Sequence, residues 1–131
     1  MHRFIYFIGI LSLLTPANFA LAAKMSASQC ELTSSELNKT LPSVIDQYTE
    51  LKSTYCLTFG GQIEFRYMYE LLGQLQVDRL PAEFKTKVKN SFCTGPDTSY
   101  FLASVDKVTY EYFYKNNGVF FDRFSFSEND C

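Results

Sequence analysis

The sequence predicts an α+β fold: two β-hairpins forming one antiparallel sheet, with two short helices between them packed on one face, and disulfides bracing it. Three observations predict this. Two stretches alternate apolar and polar residues, and each is broken by a glycine turn. Between them the apolar period switches to four residues, the mark of an amphipathic helix. Four cysteines lie at wide spacings along a chain of 131 residues.

The elements follow in order. Met1-His2-Arg3, an apolar run from Phe4 to Leu14, and Ala20-Leu21-Ala22 have the layout of a secretory signal peptide over residues 1–22. The run is shorter than the roughly 20 residues a membrane-spanning helix needs. Cysteine does not follow the small-residue site, so no lipid anchor is expected after cleavage. Residues 23–131 form one small domain. Its first part, 23–46, is polar and reads as a loosely held arm with one helical turn at Ser34-Ser35-Glu36-Leu37. Asn38-Lys39-Thr40 matches a glycosylation sequon, a pattern common by chance.

From Tyr48 the chain alternates. Leu51, Tyr55, Leu57 and Phe59 fall largely on one side, with Glu50, Lys52, Thr54 and Cys56 on the other. Gly60-Gly61 marks a tight turn. The next strand sets Ile63, Phe65, Tyr67, Tyr69 and Leu71 against Glu64, Arg66, Met68 and Glu70. Pro81 suits a helix start, and Leu80, Phe84, Val88 and Phe92 recur every four residues. After Gly95-Pro96, Asp97 reads as the N-cap of a second short helix carrying Tyr100, Phe101, Leu102 and Val105. Residues 107–115 return to strand, Asn116-Asn117-Gly118 turns, and Val119 to Phe126 completes the second hairpin. Both hairpins carry Tyr-x-Tyr, which suggests a duplicated unit.

The cysteines are Cys30, Cys56, Cys93 and Cys131. An even number in an exported chain of this size reads as two disulfides, with three pairings open. A zinc site would want close Cys pairs or His ligands, and neither is present in residues 23–131.

Most of this domain resembles a widespread group of small exported proteobacterial proteins of unknown function. The resemblance rests on Leu41-Pro42 with Asp46 and Thr49, on Tyr67-x-Tyr69, and on Phe92-Cys93-Thr94 with Pro96-Asp97-Thr98. It continues in Tyr110-x-Tyr112, Gly118 and Asp130-Cys131. It implies a Cys93–Cys131 disulfide, leaving Cys30 to pair with Cys56. It brings no catalytic residues.

The only histidine, His2, leaves with the signal peptide. Ser-His-Asp and Cys-His nucleophilic arrangements cannot then be built. Phosphate-binding and dinucleotide-binding glycine motifs are absent from the sequence. No catalytic residue, metal ligand or cofactor is expected. The chain's formal charge of −2 becomes −3 when Arg3 is removed, which argues against nucleic acid as a partner. The carboxylates Glu64, Glu70 and Asp122 are placed on outer strand faces, with Arg66 between the two glutamates as in a solvated, charge-balanced surface. Arg79, Lys85, Lys87 and Lys89 read as a solvated helix face.

Helices on one side cannot cover both faces of the aromatic strands. Phe113, with either Phe121 or the set Phe120, Phe124 and Phe126, therefore falls on the less covered side, and Phe113 and Phe121 are the candidate partner surface. The function expected is a non-enzymatic periplasmic or secreted binding protein. It would recognise another envelope or secreted protein as inhibitors, immunity proteins or secretion accessories do, or pair with a second copy of itself. The alternative is a small carboxylate-dependent hydrolase acting on envelope polysaccharide.

Overall fold

The computed structural model describes residues 24–131; the expected signal peptide lies outside the described residues. In chain order the elements are α1 (Ala27–Asn38), β1 (Ser43–Val44), β2 (Thr49–Phe59), β3 (Gln62–Leu71), α2 (Ala82–Thr94), α3 (Pro96–Ser104), β4 (Lys107–Tyr114) and β5 (Phe120–Phe126). A 3-10 turn, Glu128–Asp130, precedes Cys131. The strands form one sheet in the order β1-β2-β3-β4-β5.

Two hairpins are present at the expected turns. Gly60 and Gly61 have φ of 60° and 75°, the left-handed region that a tight two-residue turn demands at both positions. The hairpins do not join as expected, however: β3 and β4 run parallel. The sheet is therefore mixed. The cause lies in the connection. Two helices over residues 72–106 carry the chain back to the start of the sheet before β4 begins, as a parallel crossover requires. The two Tyr-x-Tyr segments consequently lie side by side, with Tyr67 opposite Tyr110 and Tyr69 opposite Tyr112.

The core sits on one face of this sheet. Phe65 meets Phe101 edge-on at 5.1 Å, Tyr67 meets Phe92 at 6.3 Å, and Tyr69 stacks on Tyr112 at 4.8 Å. Val108, Leu102 and Val105 complete the buried layer. Burial pushes the Tyr110 hydroxyl up to about 12 and those of Tyr67, Tyr69 and Tyr112 well above their ordinary value. They stay neutral, as a buried aromatic layer needs.

Helix starts differ slightly from expectation. Pro81 is the N-cap of α2. Gly95, not Asp97, occupies the N-cap of α3, with Pro96 opening the helix and Asp97 in its first turn. There the acidic side chain meets the positive end of the helix.

The N-terminal arm is the larger correction. Residues 27–38 form a full helix, opened by a capping box between Ser26 and Gln29. Its apolar pattern is weak because its inner face is polar. Cys30, Thr33 and Ser34 are buried, and Ser34 Oγ donates to the Thr54 carbonyl at 2.8 Å. The Asn38 amide clamps the same residue. It accepts from Thr54 N–H at 2.7 Å and donates to the Thr54 carbonyl at 2.9 Å. This satisfies backbone groups that β2 offers at its edge, and it commits the amide of the sequon.

Both disulfides implied by the resemblance are present: Cys30–Cys56 ties α1 to β2, and Cys93–Cys131 ties α2 to the tail.

Candidate functional site

All three helices pack on the face just described. The opposite face is built from alternate residues of β2 to β5, and cross-strand register sets its rows. One row runs Tyr55, Arg66, Thr109, Ser125, and the next Ser53, Met68, Glu111, Arg123. Leu57, Glu64 and Lys107 lie beyond the first, while Glu50, Glu70, Phe113 and Phe120 lie beyond the second.

Arg66 is the centre. Its Nε donates to Glu64 Oε2 and its Nη1 to Glu111 Oε2, both at 2.8 Å. Thr109 Oγ1 donates to Glu64 Oε2 at 2.5 Å and lies 2.7 Å from Ser125 Oγ. The Tyr55 hydroxyl donates to Glu111 Oε1. Arg123 Nε stands 3.3 Å from Glu111, and Lys107 Nζ 3.8 Å from Glu64. Glu64 Oε1 is buried and has no hydrogen-bond donor; the Lys107 charge is its compensation.

Burial pushes the Glu64 carboxyl up, but hydrogen bonds from Arg66 and Thr109, with the charges of Arg66 and Lys107, outweigh it. The group stays below the ordinary carboxylate range. Burial opposes the Arg66 charge as well, and its carboxylate partners more than offset that. The Tyr55 hydroxyl is raised, by burial first and then by the bond to Glu111. These shifts favour a charged Glu64 held by cations.

The charges are layered. The Glu64 and Glu111 side chains are only 3–4% exposed, and Glu50 and Glu70 13–14%. Their outer partners Lys52, Lys107, Lys115 and Arg123 are 46–54% exposed. Carboxylates thus form the floor and cations the rim. On an uncovered sheet a central side chain is shielded by its longer neighbours, so glutamates on an outer face can still be buried.

Phe113 lies on this open face, in edge contact with Phe120 at 5.7 Å. Phe121 does not lie there: a register shift between Tyr112 and Phe113 turns it toward the core side, against Tyr114 at 5.5 Å. Phe120 takes its place, with Arg123 over its ring at 5.2 Å. A second shift, between Leu51 and Ser53, puts Leu51 on the core face and leaves Tyr55, Leu57 and Phe59 on the open one.

Glu64 and Glu70 are not brought together as a pair. Glu70 bridges to Lys52 at 3.5 Å instead. Asp122 is on the core side. It accepts from Leu80 N–H at 2.8 Å and pairs with Lys85 at 3.2 Å. Burial raises its pKa, but these bonds outweigh the effect and leave it lowered. Glu111, Tyr55 and Thr109 were missed. The signal was their alternation with core aromatics, and it becomes readable only once β4 is set parallel to β3. Among the described residues, no group of three or more His, Cys, Asp or Glu is placed to hold a metal ion.

No protein-family model and no curated protein matches the chain. A solved structure does: a "putative secreted protein" from Pseudomonas aeruginosa, with a TM-score of 0.66 at 14% identity. The match covers 80% of this chain and 91% of that one. At that identity the likeness is one of fold. It agrees with the resemblance to small exported proteins, and with two disulfides it fits an extracytoplasmic location.

Proposed function

We propose that this is a non-enzymatic, periplasmic or secreted binding protein that recognises another protein through the open face of its sheet. One observation carries the reading. The helices lie on one face, and the other presents a fixed network of charges beside the Phe113–Phe120 pair, with Phe120 48% exposed. Arginine and aromatic side chains on a rigid platform are the groups that anchor protein interfaces.

The hydrolase alternative has less support. A catalytic acid needs a raised pKa, and Glu64 is shifted the other way. Glu64 and Glu111 are both committed to Arg66.

Site-specific photo-cross-linking in the producing cell tests the proposal. A benzophenone side chain at Phe120 or Phe59 should yield a discrete adduct with another protein. The same group at Leu32 on α1 or Phe84 on α2, also exposed but on the helix-covered side, should not. Equal adducts from all four positions, or none, would overturn it.

A further inference from the structure

The layering of charge identifies the chemistry of the partner. We infer that the open face docks an acidic protein surface; this rests on the binding function proposed above and adds the partner's class.

The open face and an acidic surface are complementary in charge. Five cations and four carboxylates make up the ion pairs of the open face: Lys52, Arg66, Lys107, Lys115 and Arg123 against Glu50, Glu64, Glu70 and Glu111. The rest of the described chain holds six basic and ten acidic side chains. The molecule is therefore polarised, with a slight positive excess on one face and a clear negative excess elsewhere. Formal counts understate the contrast. A group arriving from solvent meets four half-exposed cationic heads before any carboxylate, since those lie beneath.

The buried carboxylates also give the rim its order. Lys52 and Lys115 are drawn to Glu70 and Glu50, and Arg123 is held between Glu111 and the Phe120 ring. Each long side chain is already restricted, so less freedom is lost on binding than with a free lysine. Arg123 uses only Nε for Glu111 in these pairs, and a guanidinium carries further donors for an incoming carboxylate. Phe120 and Phe113 beside it supply an apolar contact that a plain polyanion would not use.

A second copy meets this surface less well. Two open faces brought together oppose rim cation to rim cation. An open face against the acidic back of another copy is a head-to-tail contact, which builds rings or chains and not a two-fold pair.

The test uses the full chain with both disulfides formed. The probe is a fluorescent peptide of repeated Glu-Glu-Leu, and the reverse-charge control is Lys-Lys-Leu. The Glu peptide should bind at least about tenfold more tightly than the control. Its affinity should fall roughly tenfold between about 50 and about 300 mM salt, as screening requires. Lys52→Gln, Lys107→Gln, Lys115→Gln and Arg123→Gln together should weaken it about tenfold or more. Lys87→Gln with Lys89→Gln on α2 should change it less than about twofold. The wild-type salt dependence needs no variant, so it decides even if the quadruple variant folds poorly.

Equal binding of the two peptides, or equal loss from the α2 variant, overturns the acidic-partner inference. It leaves the binding function standing if the cross-links form. Tighter, face-dependent binding of heparin or phosphatidylglycerol vesicles than of the Glu peptide overturns it in favour of another polyanion. Self-association abolished by the quadruple variant overturns it in favour of a second copy.

Discussion

Removing Arg66 should expose the energetics of the open face directly. In Arg66→Met the apolar stem is kept and the charged guanidinium is lost. Glu64 and Glu111, at 3–4% side-chain exposure, then lose the cation that bridges them. Breaking a buried ion pair from one side costs about 3–5 kcal/mol. Lys107 at 3.8 Å and Arg123 at 3.3 Å remain as partial replacements, so the low end applies, about 3 kcal/mol. In a domain of this size that lowers the melting temperature by roughly 12–24 °C. The pH dependence gives a sharper signature. In the wild type, Glu64 has a lowered pKa. Its contribution is present above the unfolded-state value of 4.5 and is lost as pH falls through the lower folded value. Without Arg66, burial dominates and the folded pKa rises above the unfolded one. The variant should then gain stability as pH falls from about 7 to about 5, a window in which the wild-type Glu64, with its lowered pKa, contributes no slope. Denaturant melts at those two pH values measure both effects. A loss below about 1 kcal/mol, or no gain between about pH 7 and about pH 5 relative to the wild type, would refute the claim that these carboxylates are desolvated and held by Arg66.

Three further outcomes are expected. Asn38→Ala strips the clamp from Thr54 and should cost about 1–3 kcal/mol by chemical denaturation, whereas a surface position would cost under about 0.5. Cys93→Ser with Cys131→Ser opens a bond of sequence separation 38, which loop entropy values at about 4 kcal/mol; peptide mapping without reductant should recover only the Cys30–Cys56 link from that variant. Phe121→Ala should destabilise the fold by about 2–4 kcal/mol because it packs against the core, while Phe120→Ala should stay within about 0.5 kcal/mol and lower the yield of the open-face cross-link.

Much of the architecture was legible because local chemistry dictates it. Gly60-Gly61 and Asn116-Asn117-Gly118 announced the two turns, and the spacing of Leu80, Phe84, Val88 and Phe92 announced α2. Three things were not legible, each for a physical reason. Helix α1 lacks an apolar stripe, because it is anchored by Cys30, Ser34 and Asn38 through a disulfide and hydrogen bonds. The two register shifts move Leu51 and Phe121 to the core side, and a one-residue slip inverts every side chain beyond it. The Glu64–Arg66–Glu111 network needs β3 beside β4, a long-range pairing that alternation within either strand does not encode. Phe113 was placed on the open face, but the charged groups around it were read as ordinary solvated surface.

The placing of the two disulfides divides the molecule in a way its single sheet conceals. Cys30–Cys56 lies within the part built from α1 to β3 and joins α1 to β2, and Cys93–Cys131 lies within the part built from α2 to the tail and joins the end of α2 to the last residue. Neither crosses the parallel seam between β3 and β4. Residues 72–79, nearly all exposed, are the only covalent link between the two parts. A protease cutting there would leave two oxidised pieces, each carrying one disulfide, joined only by noncovalent contacts: strand pairing, the aromatic layer and the polar network around Arg66. The chain is in effect two stapled leaves bound along one uncrosslinked spine, and Arg66, reaching from β3 to Glu111 on β4, is a stitch across it.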